Sequence, residues 1–282
     1  MSRNLESGIN GQIEKSFSKK VDYEVLTNPE QRAMLFSRVR DLVDKTLNND
    51  YKAVIFLDKS ARPISYLYRK IWEKENGQTQ KIPEIAFLNV GTETFSFPKF
   101  PSKGKYKGEE DYYDAYEAYM LEQEETAFAE KTKPQNIDAL RKGYSNLSKL
   151  PEGSKILIVD ELSISGNSLE KSQEIMNLVF PELEFDTHAL STASLDRNSK
   201  KDELFYNKNQ EIFAAPWADL QIVEENGKEV RKDRSGYTGV ANSTDLIAAA
   251  LPKDNSPKTR ELKRRANQLR EELDGVIEEG YA

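Results

Sequence analysis

The stretch Lys155-Ile-Leu-Ile-Val-Asp-Glu-Leu-Ser-Ile-Ser-Gly-Asn-Ser-Leu169 decides the fold. Ile156–Val159 is short, apolar and mostly β-branched, the composition of a strand buried on both faces of a parallel sheet. It ends in two adjacent carboxylates, Asp160 and Glu161. A small hydroxyl-rich turn follows, Ser163, Ile164, Ser165, Gly166, Asn167 and Ser168, and then a helical stretch, Leu169–Val179. Ligands of open α/β sheets bind at the carboxyl ends of strands, and a turn feeding a helix offers free N–H groups to an anion. The acidic pair suits sugar hydroxyls or a hydrated magnesium ion. A ribose phosphate presents both chemistries.

The same pattern occurs earlier in the chain. Ala53–Leu57 reads as a buried strand, followed by Asp58, Lys59, Ser60, Ala61 and Arg62 and a helix from about Ile64 to Glu75. Pro63 is expected at the first helical position, where its missing N–H is harmless. Ile64, Leu67, Tyr68, Ile71 and Trp72 give this helix one apolar face. Upstream, Asn28 reads as an N-cap with Pro29 in the first turn and Gln31 at the capping-box position, opening a helix striped by Leu35, Val39, Leu42 and Val43. Further strands are expected at Glu84–Val90 and Phe185–Ser191.

Strand, acidic pair and small hydroxyl-glycine loop together resemble the phosphoribosyl-pyrophosphate motif of the type I phosphoribosyltransferase family. The resemblance extends to the order of elements over roughly 28–195. It implies an open, mainly parallel α/β sheet flanked by helices, with a helical insertion and a C-terminal hood and helix. It also implies transfer of a 5-phosphoribosyl group from phosphoribosyl pyrophosphate to a nitrogenous acceptor, with Mg2+ as cofactor and pyrophosphate as leaving group. On this resemblance Asp160 and Glu161 hold the ribose hydroxyls and, directly or through water, the metal. Ser163, Ile164, Ser165, Gly166, Asn167 and Ser168 receive the 5′-phosphate, and Asp58, Lys59, Ser60, Ala61 and Arg62 face the pyrophosphate. Family members that use hypoxanthine or guanine carry an acidic residue where this chain has Ile164. Isoleucine cannot assist proton transfer, so orotate, adenine, uracil or another acceptor is left open. The alternative is a protein of the same fold that binds the donor or a nucleotide without catalysis.

The remaining 282-residue composition sets limits. Net charge is −7, with 32% charged and 37% hydrophobic residues. An acidic balance argues against broad nucleic-acid binding, which needs a positive footprint. No apolar run approaches the ~20 residues that span a bilayer. Zero cysteines exclude disulfides and a thiolate nucleophile, and fit a cytoplasmic location. The single histidine, His188, lies in an expected strand and reads as structural; no Gly-x-Ser-x-Gly elbow accompanies it.

Residues 1–27 read as a flexible N-terminal segment, 28–240 as the core, and 241–282 as a C-terminal helical extension. Within the core, about 91–150 is an insertion and about 196–240 a hood. Phe95–Gly108 is the candidate lid. Glu109–Lys131 reads as an acidic helix on which Tyr112, Tyr116 and Tyr119 share a face, a stripe better suited to packing than to stacking a base. Trp217 and Asp219 are candidates for a base pocket, with a buried structural tryptophan as the competing reading. Arg231–Gly239 reads as a basic, turn-rich loop. Finally Leu262, Ala266, Leu269, Leu273 and Val276 form a narrow seam, suited to packing within the chain or to a homodimer. Charges along that helix run basic first and acidic later, against its dipole.

Overall fold

Ala53–Leu57 and Ile156–Val159 are apolar runs buried on both faces and make the centre of the sheet, while the flanking runs Glu84–Leu88 and Glu184–Thr192 stay partly exposed. The computed structural model describes residues 21–57, 61–88, 101, 105–163, 166–192, 220–225, 228–233 and 257–282. Strands β1 (Ala53–Leu57), β2 (Glu84–Leu88), β3 (Lys155–Ser163) and β4 (Glu184–Thr192) pair in parallel in the order β2-β1-β3-β4. The connections run through α2 (Arg62–Glu75), α3 (Glu109–Lys131) with α4 (Pro134–Gly143), and α5 (Asn167–Val179). The expected α/β class is observed as an open four-stranded parallel sheet flanked by helices. From β1 the chain steps outward to β2, then returns past β1 to place β3 on its other side. The order therefore reverses between β1 and β3, which makes their carboxyl ends the topological switch point.

Strand residues alternate between two cores. Val54, Phe56, Leu157, Val159 and Leu190 pack with α1 (Pro29–Asn48), α2 and α6 (Pro257–Gly280). Ala53, Ile55, Leu57, Ile156, Ile158 and Phe185 pack with α5, with α4 at the margin. This period of two is what a pleated strand imposes. α1 begins as its sequence predicts, with the Asn28 side chain accepting from Glu30 N at 2.9 Å. α2 begins earlier than expected: Arg62 is its first residue and Pro63 its second. Both positions belong to the first turn, whose N–H groups have no partner within the helix.

Some elements differ from their sequence reading. α5 starts at Asn167, so Asn167 and Ser168 are helix, not turn. The segment Leu220–Glu225 (β5) and Lys228–Asp233 (β6) form an antiparallel hairpin, with Val223 opposite Val230. Arg231–Asp233, expected in a loop, is thus the end of a strand; the rest of that basic stretch lies outside the described residues.

The α6 seam is filled within the chain. Ala266, Leu269, Leu273 and Val276 are buried with Ile277 in the α1/α2 core, so among these residues the seam has its partner without a second copy. Residues just before α1 join them: Val25 and Leu26 are buried, and Glu272, itself 0% exposed, accepts from the N–H groups of Glu24, Val25 and Leu26 at 2.7–3.1 Å. Gln268 Nε2 also donates to Glu272, at 3.1 Å. Among the described residues, no helix is long and apolar enough to cross a membrane.

His188 has a structural environment. Its Nδ1 lies 3.2 Å from Lys45 Nζ across the α1/β4 contact. Partial burial, and secondarily the Lys45 charge, lower its pKa from 6.5 to about 4. A depressed folded pKa means that the unfolded chain binds the proton more readily, so stability present above pH 6.5 drains away as pH falls toward about 4. Urea midpoints at pH 7 and pH 5 should differ more for wild type than for His188→Gln. Equal differences would remove His188 from the acid sensitivity.

Candidate functional site

β3 outruns β1. Pairing with β1 stops at Phe56 opposite Val159, whereas pairing with β4 continues through Asp160–Ala189, Leu162–Ser191 and Ser163–Thr192. Asp160 and Glu161 therefore sit inside an extended strand and not beyond its end, as the sequence suggested. One side of that extension has no β1 beside it, and this opening is the switch-point crevice. Both acidic residues are 8% exposed. A carboxylate can be this deeply placed only with hydrogen bonds, charge partners or a ligand to satisfy it.

Asp160 Oδ1 accepts from Glu161 N at 2.9 Å. Burial pushes the Asp160 carboxyl above its ordinary range, while hydrogen bonding to the Glu161 side chain and N–H works against that rise. Two carboxyl groups in mutual contact in a dry setting either share a proton or ionise together around a cation or hydroxyl donors. This donor set fits a hydrated magnesium ion, which takes one or two carboxylates and fills its remaining positions with water and ligand oxygens. Among the described residues, no group of three or more His, Asp or Glu is placed to hold a metal alone. Asp160 and Glu161 would have to share it with a ligand.

Gly166, three residues after the end of β3, is the N-cap of α5. Its φ is +83°, in the left-handed region that glycine adopts without penalty. A Cβ built there would meet nothing within 4 Å, so that side of the turn has room. No side chain caps the helix start, and Glu170 N donates to Gly166 O at 3.0 Å. Ser163 is the last residue of β3; Ile164 and Ser165 lie outside the described residues.

In the loop after β1, Asp58, Lys59 and Ser60 are likewise outside the described residues, while Ala61 is buried as the N-cap of α2. Arg62 is 1% exposed and lays its guanidinium on the Phe87 ring, 3.8 Å from its centre. In this arrangement it is wedged between helix and sheet and not held out toward solvent. Trp217, Asp219 and most of the candidate lid are not described. Tyr106, from the lid's end, meets Tyr112 edge-on at 5.4 Å, and Tyr112 stacks on Tyr116 at 6.3 Å. The tyrosine stripe thus packs partly on itself.

Sequence reasoning missed Arg38. It reaches from α1 to the carboxyl end of β4 and donates through Nη1 to Leu190 O at 2.5 Å. Its spacing from Leu35 and Leu42 marks the flank of an apolar stripe, which gives no hint of a strand-end contact. A cleft of about 480 Å³ also exists at the opposite, amino end of the sheet, bordered by Thr46, Lys52, Trp72, Lys81, Glu84 and Lys149. It is remote from the acidic pair. No model of a protein family matches this chain, and no curated protein matches it either.

Proposed function

We propose that this protein is a phosphoribosyltransferase-like enzyme of type I character, moving a 5-phosphoribosyl group from phosphoribosyl pyrophosphate to a nitrogenous acceptor. The observation that carries the reading is the juxtaposition, at the β1/β3 switch point, of a buried acidic pair and a glycine-started helix. In this reading Asp160 and Glu161 hold the ribose 2′ and 3′ hydroxyls and fix the ring's orientation. The α5 amino end, with Ser163–Ser168, receives the 5′-phosphate. Asp160 and Glu161 would hold magnesium together with the donor's oxygens, and the ion would offset the charge that grows on departing pyrophosphate. The C1–oxygen bond breaks with its electron pair leaving on pyrophosphate, as the acceptor nitrogen bonds to C1 and passes its proton to water or to the departing pyrophosphate. Lys59 and Arg62 stand in the segment expected to face the leaving group; for Arg62 this requires release from Phe87.

A second reading, a donor- or nucleotide-binding protein of this fold without turnover, is favoured by the long acidic helix α3, which offers a surface to a partner. Pyrophosphate release in a screen of nucleobases with the donor and magnesium separates the two.

The acidic pair provides the direct test of the site. Asp160→Asn combined with Glu161→Gln should weaken phosphoribosyl-pyrophosphate binding about tenfold or more, about 1.4 kcal/mol. Calorimetric titration of the folded double variant with magnesium measures this. An unchanged dissociation constant rejects the ribose assignment.

A further inference from the structure

Two tethers fix how α6 lies beside α2. Tyr66 Oη donates to Asp274 Oδ1 at 2.8 Å, and Tyr281 Oη donates to Glu75 Oε1 at 2.9 Å. Their sequence separations, 208 and 206 residues, are nearly equal. Equal offsets arise when two helices run side by side in the same direction; in an antiparallel pair the separation would change steeply from one contact to the next. α2 starts at the carboxyl end of β1, so α6 also descends from that end toward the amino end. By the same offset Arg62, the first residue of α2, is level with residues 268–270.

Everything in α6 before that level overhangs the carboxyl rim. At 1.5 Å per residue, the overhang is about 6 Å at Arg265 and about 18 Å at Pro257. Burial agrees, because Ala266 is the first buried side chain of α6 among those described, while Arg260 and Arg264 are exposed. Arg264 Nη1 lies 3.5 Å from Glu24 Oε2, with both side chains about half exposed. Pro257–Arg265 holds five Lys or Arg and one Glu in a chain of net charge −7. Cations near a helix N-terminus oppose its dipole, and the four described ones add nothing to the buried core. By the level just given, they stand at the end of the sheet that carries Asp160, Glu161, Gly166 and the start of α5.

We propose that this overhang, through Arg260, Lys263, Arg264 and Arg265, is an anion-receiving arm of the crevice that attracts and retains a diphosphate-bearing ligand. The inference rests on the donor-binding reading above and adds to it a part of the chain remote in sequence from the loops. A basic arm that is exposed at Arg260 and Arg264 and half-buried at Lys263 and Arg265 acts mainly through its field, so its contribution is large at low ionic strength and screened at high.

The test replaces all four residues with Gln and titrates wild type and variant with magnesium pyrophosphate, using ribose 5-phosphate as the less charged comparator. At low salt the variant should bind pyrophosphate about tenfold more weakly, with a smaller loss for ribose 5-phosphate, and the gap should close near 0.5 M salt. A second variant exchanging Arg and Lys at the four positions keeps the charge and should bind like wild type; its failure at an unchanged melting temperature would overturn the charge argument. Equal pyrophosphate affinity and salt dependence in wild type and the Gln variant overturn the arm alone. A wild type that binds neither ligand overturns the arm together with the donor-binding reading.

Discussion

Glu272→Ala should lower stability by about 3 kcal/mol, the largest single-residue loss expected here. The side chain is fully buried and accepts from three consecutive backbone N–H groups, of Glu24, Val25 and Leu26, as well as from Gln268. Removing it strands those donors away from water, and an unmade buried hydrogen bond costs more than a made one contributes. For a chain of this size the melting temperature should drop by roughly 6–12 °C. Glu272→Gln should fall between, since its amide retains one accepting oxygen but turns an NH2 toward donors. A melting temperature for the Ala variant within about 1 °C of wild type would show that the segment before α1 is held by other contacts.

Gly166→Val should abolish the ligand-induced rise in melting temperature that ribose 5-phosphate gives wild type, while leaving the core folded. The expected stability cost is about 1–2 kcal/mol, because a β-branched residue resists a left-handed backbone. Space within the protein is not the obstacle, as a Cβ meets nothing within 4 Å. Interference is expected with a phosphate that occupies this room and approaches the helix N–H groups. Melts of both proteins, with and without millimolar ribose 5-phosphate and magnesium, measure it. If wild type shows no shift, or the variant shows the full shift, the phosphate assignment falls.

What could be read in advance follows from how local the signal is. The strands at 53–57, 84–88 and 185–191 and the helices around Leu35–Val43 and Ile64–Trp72 announce themselves because burial writes periodicity into adjacent residues. The extension of β3 does not, since Asp160 and Glu161 look like the end of an apolar run. Pairing with β4 carries the strand on through Ser163, and pairing is not a local property. The β5–β6 hairpin did have a signal: Asn226-Gly227 between two alternating stretches is a strong hairpin sequence. Glu272 was also legible in part, as a carboxylate on the same face as Leu269 and Val276. Its partners were not, because they lie some 247 residues away. Around the site, the residue types at 160, 161 and 166 named the chemistry. The left-handed backbone of Gly166 followed the tight turn expected there, whereas Arg38 and the buried seat of Arg62 depend on tertiary packing.

The interlock between α6 and the residues before α1 has a consequence for how the protein comes into being. On a ribosome, β1, α2 and the sheet emerge well before 266–277, yet those late residues supply part of the wall against which α1 and α2 are buried. Until they arrive, an apolar surface on the nascent chain stands open, and Val25 and Leu26 have no carboxylate to fasten them. Such an intermediate exposes the kind of surface that chaperones bind and that aggregates when they do not. Closure also joins segments nearly the whole chain apart, a contact pattern associated with slow folding. The interval between synthesis of the sheet and arrival of α6 is therefore the one in which this surface is open.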